Sequence, residues 1–254
     1  MGIIIKNGRE IEKMQEAGHI VGAVLDAVEA ACIPGCTTAE LNRIARREMQ
    51  LARAESAFLG YRPHGQRPYP AVLCTSVNDV VVHGIPREDQ QLTEGTLIGI
   101  DFACHKHGYF ADAARTIAVG VVSAPARALL ESTRRGLALA VQACVPGARL
   151  GDVGATIEGV AREGGYGLVR EFVGHGIGRA MHEPPAVPNY GQRGRGLRLQ
   201  EGFVLAIEPM FNLGGDEVRV LDDGWSVVTA DGSLSVHVEH TVAITNHGPR
   251  VLAA

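Results

Sequence analysis

A weak internal repeat restricts the folds open to this chain more than any other feature. The segment Ala-Cys-Ile-Pro-Gly at 31–35 recurs as Ala-Cys-Val-Pro-Gly at 143–147, 112 positions later. Leu-Thr-Glu-Gly at 92–95 recurs as Leu-Gln-Glu-Gly at 199–202, at an offset of 107. One such match carries little weight, but two in the same order at nearly the same offset indicate a duplicated unit.

The predicted secondary structure supports this duplication. Apolar residues spaced by three and four from Ile11 to Val28 predict an amphipathic helix. Thr37 and Glu40 form a capping box for a second helix that runs to about Ala54. The second half repeats the pattern, with helices predicted at about 124–143 and 151–163. Strands are predicted at 71–74, 96–103, 109–120, 203–210 and 236–245.

The chain is therefore expected to be one domain built from two homologous halves, approximately residues 1–120 and 121–254. Each half pairs helices with an antiparallel sheet, which predicts an α+β fold.

The charge balance disfavours two classes of partner. Lys and Arg total 24 and Asp and Glu total 28, so the formal net charge is −4. This balance predicts no electrostatic grip on nucleic acid or an anionic membrane. The chain lacks an apolar run of the ~18 residues that a membrane span needs, and its first residues do not resemble a secretory signal. A cytoplasmic protein is expected.

Two minor clusters each have an ordinary and a more specific interpretation. The five cysteines are odd in number and contain no C-x-x-C pair, which predicts free thiols, although Cys32 and Cys36 could form a redox or zinc pair. Arg193, Arg195 and Arg198 are separated by short glycine-containing spacers. They predict a solvated loop, with a partner contact as the alternative.

Two acidic residues on neighbouring predicted strands suggest a cation site. Asp101 and Asp112 flank a predicted turn, and a turn centred on Lys106 and His107 would place them opposite each other. Their Cβ atoms would then be ~4.5–5.5 Å apart. Two buried carboxylates at that separation repel, and a divalent cation between them removes the repulsion.

The second half offers a matching pair. Glu208 is the repeat equivalent of Asp101, and Glu239 takes the place of Asp112 within an otherwise strand-like segment. Each acid alone could be a strand-end charge or an ion-pair partner. Four acids at symmetric places instead predict convergence on about two divalent cations, as in two-metal hydrolytic sites.

Three histidines stand out from the rest. His175 lies in a glycine frame, His182 follows seven residues later, and His83 precedes a Gly-Ile-Pro segment. Histidine suits metal ligation and proton transfer near neutral pH. His237 and His240 are taken as neighbours of Glu239. The remaining histidines are expected to be surface or satisfied core residues, namely His19, His64, His105, His107 and His247.

These motifs together resemble the type I, bacterial-style methionine aminopeptidases over nearly the whole chain. The most specific stretch is Gly-His-Gly-Ile-Gly-Arg at 174–179 followed by His-Glu-x-Pro at 182–185. Val-Val-His-Gly-Ile-Pro at 81–86, Ile-Glu-Pro-Met at 207–210 and Glu-His-Thr at 239–241 support it. Only 26 positions separate His182 from Glu208, which fits the compact type I form. The resemblance implies the pita-bread fold, with two pseudo-symmetric halves.

The resemblance also implies an activity and a ligand set. The family removes the initiator methionine from new polypeptides whose second residue is small and uncharged. Its five metal ligands correspond to Asp101, Asp112, His175, Glu208 and Glu239, which would hold two divalent ions. The ligand chemistry is compatible with Mn, Fe, Co, Zn or Ni.

The implied mechanism is attack of a metal-bridging water on the peptide carbonyl. Glu208 is the expected general base, His182 would stabilise the developing oxyanion, and His83 would lie near the N-terminal residue of the substrate. The methionine pocket is expected to include six further residues, Phe58, Tyr61, Tyr69, Cys74, Met181 and Trp225. The expected partners are nascent polypeptides, with room for a transient ribosome contact, and the chain is expected to be a monomer.

The chain departs from the family pattern at three places. Ala113 and Ala114 follow Asp112 where hydroxyl-bearing residues are expected. Met181 replaces a residue that is often aromatic, and Phe58 stands where cysteine is common. The changes put the hydrogen bonding around the ligands and the pocket shape in question.

Two rival functions remain open at this stage. One is a proline-directed peptidase resembling aminopeptidase P or prolidase, although such enzymes carry a sizeable additional N-terminal domain. The other is a non-enzymatic binding module on the same fold, although such proteins usually lose ligands and gain basic surface.

Overall fold

The structure is a computed structural model that describes residues 2–65 and 67–254, without the side chain of His64. Its α-helices are α1 (Gly8–Ala30), α2 (Thr38–Leu51), α3 (Ala124–Ala143) and α4 (Leu150–Gly164). Helix α2 begins at the predicted capping box of Thr37 and Glu40 and ends three residues before the predicted end. Helix α4 is capped by Gly165, whose φ of 70° is readily adopted by glycine.

The strands of the first half form one four-stranded sheet and a separate short strand. They are β1 (Glu55–Ser56), β2 (Cys74–Val77), β3 (Val80–Val82), β4 (Leu97–Lys106) and β5 (Tyr109–Ala118). In the sheet, β4 lies between β1 and β2 and pairs with β5 as an antiparallel hairpin. The prediction of a strand at 71–74 was wrong, because the strand begins at Cys74.

The second half contributes shorter strands to three sheets. They are β6 (Gly167–Leu168), β7 (Gly174–Gly176), β8 (Glu183–Val187), β9 (Val204–Ile207), β10 (Met210–Asn212), β11 (Val218–Val220), β12 (Val227–Thr229), β13 (Ser235–His237), β14 (His240–Thr245) and β15 (Gly248–Ala253). The five-stranded sheet has the order β15-β14-β9-β7-β8. The two three-stranded sheets have the orders β13-β10-β6 and β11-β12-β3, so the last sheet joins strands of both halves.

Two predicted strands are each divided by an interruption. The segment 203–210 separates into β9 and β10, and the segment 236–245 separates into β13 and β14. Strands β9 and β14 belong to the five-stranded sheet, whereas β10 and β13 belong to a three-stranded sheet. The chain therefore crosses between the same two sheets twice, at 208–209 and at 238–239.

Each helix pair covers its own apolar core, and the predicted α+β architecture is confirmed. One core contains Val21, Leu25 and Leu41 of the first helix pair together with Ile98 and Phe102 of β4. Another joins the apolar faces of α3 and α4 to strands of the second half. Both halves thus run helix, helix, then strands, in the order that the repeat predicts.

Strand β15 of the second half packs directly against α1. The Gln15 amide donates a hydrogen bond of 2.8 Å to the Leu252 carbonyl. A Cβ atom at Gly18 would lie 1.8 Å from the same carbonyl oxygen. This close approach requires glycine at position 18 and places the end of the chain against the first helix.

None of the described helices is both long and apolar enough to cross a membrane.

Candidate active site

The predicted site residues all line one cavity of about 350 Å³. It contains the five expected ligands, the two expected active-site histidines and the six expected pocket residues. The sheets of both halves contribute to its walls. The structure thus brings together residues that lie up to 181 positions apart, from Phe58 to Glu239.

The two acids of the β4–β5 hairpin lie on one face of the sheet, but not directly opposite each other. Asp101 pairs with Ala114 and Asp112 pairs with Ala103, so the predicted register was wrong by two residues. The hairpin loop is His107-Gly108, with φ of 53° and 78°, rather than Lys106-His107. A shift of two residues preserves the side-chain face. The acids are therefore diagonal neighbours, with Cα atoms roughly 7–8 Å apart.

Glu208 and Glu239 lie at the two points where the chain crosses between sheets. Glu208 follows β9, and Glu239 precedes β14. Glu239 was predicted to lie within a strand, but it lies between β13 and β14. It forms an isolated bridge with Ala114 of β5. Its amide donates to the Ala114 carbonyl at 2.9 Å, which places the second-half acid beside the hairpin acids.

His175 completes this cluster from β7. Its Nδ1–H donates to the Gly176 carbonyl at 2.9 Å, so Nε2 carries the lone pair. Nε2 lies 3.7 Å from Glu208 Oε1. One potential ligand atom each from Asp112, His175 and Glu239 lie within 4.8 Å of one another. The arrangement leaves a neutral imidazole nitrogen aimed at carboxylates from both halves.

Burial makes the acidic cluster unfavourable without a counter-charge. Burial and the neighbouring carboxylates raise the pKa of Asp101 and of Glu239 well above their ordinary values. The same causes raise the pKa of Asp112 to about 7, and burial raises that of Glu208 to about 8. Burial lowers the pKa of His175 to about 3, so this imidazole stays neutral.

The cluster fits a divalent cation. Asp101 Oδ1, Asp112 Oδ1 and Glu239 Oε1 are buried and accept no hydrogen bond within the described structure. Buried carboxylate oxygens without partners are rare in folded proteins and call for an ion or water. Four carboxylates and one neutral imidazole form a ligand set that suits divalent first-row transition metals.

His182 and His83 lie at the edges of the cluster. The His182 ring packs edge-on against His175, with centroids 4.3 Å apart, and its Nδ1 lies 2.8 Å from the Tyr61 hydroxyl. His83 adopts a φ of 61°, unusual for a residue other than glycine, and contacts Phe172 and Trp225 edge-on. Strained backbone of this kind concentrates at functional sites.

The remaining predicted pocket residues form one apolar wall. Phe58, Tyr69, Cys74, Met181 and Trp225 are buried in a single cluster, against which Tyr61 packs. Ring centroids of Phe58 and Tyr69 are 6.2 Å apart, and those of Tyr69 and Trp225 are 5.1 Å apart. The wall places polarisable rings and sulfur atoms beside the acids.

Two contacts of the cluster were not anticipated. His237, treated as a neighbour of Glu239, places Nε2 3.5 Å from Glu208 Oε2. The sequence signal that could have identified His237 is its position two residues before Glu239. The Thr241 hydroxyl donates to the Asp112 carbonyl at 2.7 Å and accepts the Asp112 amide at 3.1 Å. Thr241 thus supplies a hydroxyl at Asp112, which the following residues, Ala113 and Ala114, lack.

The other predicted groups lie away from the cavity. His19, His107 and His247 are exposed and His105 is half-buried, while the His64 side chain is outside the described residues. The five cysteines are free thiols, four of them buried and Cys36 half-buried, and one of them, Cys74, is the pocket residue that lines the cavity. The three arginines of the loop at 193–198 are exposed.

Comparison with known proteins agrees with this geometry. The model of metallopeptidase family M24 matches residues 12–246. Over 250 residues the chain is 46% identical to the methionine aminopeptidase of Clostridium acetobutylicum, covering 98% of both chains. The chain belongs to the M24 methionine aminopeptidases.

Further relatives support the same family. Methionine aminopeptidase B of Synechocystis is 44% identical over 251 residues, which is 99% of this chain and 92% of that protein. The crystal structure of the Thermotoga maritima methionine aminopeptidase superposes with a TM-score of 0.94 at 39% identity, covering 99% of both chains. The pita-bread fold of this family is thereby confirmed, and M24 membership implies the use of divalent metal.

Proposed function

We propose that the chain removes N-terminal methionine from new polypeptides whose second residue is small and uncharged. The observation that carries this proposal is the convergence of five potential ligands beside an apolar wall in one cavity. Family membership supplies the reaction class, hydrolysis by a metal-dependent aminopeptidase.

Two divalent cations would be held by the acidic cluster and His175. Asp101, Asp112 and Glu239 offer oxygen atoms without other partners, and His175 offers a neutral nitrogen. Glu208, in contact with His175, would be the fifth ligand. When bound, such cations lower the pKa of a water and polarise a peptide carbonyl.

Glu208 would manage the proton of the attacking water. It lies between two imidazoles, those of His175 and His237, and burial raises its pKa to about 8. A carboxylate within hydrogen-bond reach of the attacking water could take its proton and release it again within one turnover. Glu208 would accept the proton of the attacking water and deliver it to the leaving amine.

His182 would stabilise charge on the substrate carbonyl. Donation by the Tyr61 hydroxyl to Nδ1, at 2.8 Å, would leave the proton on Nε2. A neutral imidazole with Nε2–H is a hydrogen-bond donor for a developing oxyanion. Burial lowers the pKa of His182, which favours this neutral form.

The apolar wall would receive the methionine side chain. The rings of Phe58, Tyr69 and Trp225 form this wall, and Met181 and Cys74 add sulfur atoms to it. A thioether makes favourable contacts of about 0.3–1.5 kcal/mol with aromatic rings. His83, set between Phe172 and Trp225, would lie at the N-terminal end of the substrate.

Assays with Met-X peptides test the proposal, with Mn, Fe, Co, Zn or Ni restored one at a time to metal-free protein. The expected result is turnover of Met-Ala-Ser but not of Met-Lys-Ser or an Ala-Pro peptide. Cleavage of Ala-Pro instead would indicate a proline-directed peptidase. Stoichiometric metal without any peptidase activity would contradict the proposal and favour a binding module.

A further inference from the structure

A buried ion pair outside the metal cluster joins the N-terminal segment to the loop that carries His182. Lys6 Nζ lies 2.7 Å from Glu183 Oε2, and their side chains are only 3% and 5% exposed. Burying both charges is expensive unless every oxygen and proton finds a partner. The proposed chemistry uses neither residue, so the pair needs another explanation.

The second oxygen of Glu183 holds the loop itself. Glu183 Oε1 accepts the amides of Arg179 and Ala180, at 2.7 and 3.1 Å. Between these amides and Glu183 lie Met181 and His182, both lining the cavity. Arg179 and Ala180 are exposed residues, so their amides are held by this carboxylate and not by core packing.

Two glycines leave the space that Lys6 occupies. A Cβ atom at Gly178 would lie 2.4 Å from Lys6 Cε and 2.9 Å from Glu183 Oε1. Gly202 has a φ of 85°, and a Cβ there would lie 2.6 Å from the Lys6 carbonyl oxygen. The Lys6 amide donates to the Gly202 carbonyl at 2.8 Å. Gly178 therefore leaves room for the Lys6 side chain, and Gly202 leaves room for the backbone at Lys6.

We propose that Glu183, neutralised by Lys6, is a positioning residue that holds His182 at the substrate carbonyl. Lys6 neutralises Glu183, and Glu183 fixes the loop through its two accepted hydrogen bonds. Because the backbone at His182 is held in this way, the His182 ring lies where its Nδ1 contacts the Tyr61 hydroxyl. This inference rests on the proposed function, because it assigns the pair to the same hydrolytic site.

Two double variants separate positioning from stability. Lys6→Met/Glu183→Gln and Lys6→Met/Glu183→Met both remove the two charges and keep side chains of similar length. Only glutamine retains an oxygen that can accept the Arg179 and Ala180 amides. Replacing a whole buried ion pair with uncharged side chains is often neutral for stability, so both variants are expected to fold.

The expected result is a difference in kcat between these variants at equal metal content. The glutamine variant should keep kcat within about threefold of wild type, whereas the methionine variant should lose about tenfold or more, with KM little changed. A group that acts on the transition state changes kcat and kcat/KM together. Equal kcat in the two variants, or a loss of bound metal in proportion to kcat, would overturn the inference.

Amide hydrogen exchange on the wild-type protein gives a second test that needs no variant. The Arg179 and Ala180 amides should exchange about a hundredfold or more slowly than unstructured peptide, despite their exposed positions. Exchange at the rate of unstructured peptide would refute the hydrogen bonds of these two amides to Glu183. If wild type failed to cleave Met-Ala-Ser, the proposed function would fail, whereas the exchange result would still report on the loop.

Discussion

At the scale of single residues, the charge states in the cavity follow from burial. Burial raises the pKa of Asp112 to about 7 and of Glu208 to about 8, while it lowers that of His175 to about 3 and of His83 to about 4. The acids therefore resist ionisation and the imidazoles resist protonation. A bound cation would favour the ionised form of the carboxylates. It would also require a neutral imidazole, because metal ligands must be deprotonated.

The Tyr61 hydroxyl is expected to contribute to catalysis through His182. Replacing Tyr61 with phenylalanine removes the 2.8 Å contact with Nδ1 and leaves the ring in place. We expect kcat for Met-Ala-Ser to fall about tenfold with little change in KM, because the imidazole loses its fixed tautomer. Steady-state kinetics at equal metal content measure this. An unchanged kcat would show that the contact has no role in turnover.

Phe58 is expected to limit the size of the methionine pocket. It is 8% exposed and packs edge-on against Tyr69. The Phe58→Ala change should lower kcat/KM for methionyl peptides by about 10–200-fold, the range for losing apolar contacts in a specificity pocket. Cleavage of peptides with a larger N-terminal side chain should increase. Selectivity identical to wild type would exclude Phe58 from the pocket.

At the scale of secondary-structure elements, the interface between α1 and β15 depends on one glycine. Gly18→Ala would place a methyl group 1.8 Å from the Leu252 carbonyl oxygen, which is part of the backbone and cannot rotate away. We expect the free energy of unfolding to fall by about 1–3 kcal/mol or more, the usual result of overpacking. Urea unfolding monitored by circular dichroism measures the loss.

Gly22 provides a matched control one turn further along α1. A Cβ atom there would lie 4.0 Å from the Ala254 carbonyl oxygen. Gly22→Ala should therefore leave stability unchanged or raise it by about 0.5–1 kcal/mol, the helix-propensity difference. Equal effects of the two substitutions would contradict the close packing of β15 on α1.

The elements also show how far the sequence predicts this molecule. The helices were predictable because periodicity and caps are local, and Thr37 with Glu40 begins α2 as expected. The hairpin register was not predictable from the sequence. It depends on the loop His107-Gly108, which forms only if His107 adopts a positive φ. Histidine adopts this conformation more readily than most residues, but the sequence does not require it.

The sequence predicted which residues form the site better than it predicted how they are arranged. The acids and histidines were identified by repeat position and motif, and all line one cavity. The breaks after Ile207 and His237 were missed because apolar residues lie on both sides of each, although Pro209 was a signal against a continuous strand. The choice of sheet for each half-segment depends on long-range pairing, which local patterns do not encode. His237 was missed for the same reason, since its contact with Glu208 spans two crossovers.

At the scale of the whole molecule, the proposed cation site would join the two halves. Asp101 and Asp112 come from the first half, and His175, Glu208 and Glu239 from the second. Each bound cation would replace repulsion between buried carboxylates with attraction to both halves. Because the ligands are assembled only in the folded chain, binding should stabilise it by mass action.

Removal of metal should therefore lower the thermal stability of the whole chain. We expect Tm to fall on chelation and to recover when a divalent cation is restored. A cation at about 100 times its Kd should stabilise by about 2.7 kcal/mol. Differential scanning calorimetry at fixed pH measures the shift. A Tm that does not respond to metal would mean that the cluster holds no ion in the folded protein.

The central claim is that five side chains from both halves hold two cations that are required for peptide hydrolysis. Equilibrium dialysis against Mn²⁺, with turnover of Met-Ala-Ser assayed on the same samples, tests it for wild type and Asp112→Ala. The account predicts two cations per chain and turnover for wild type, and fewer cations and no turnover for a variant that remains folded. Undiminished turnover by Asp112→Ala would contradict it.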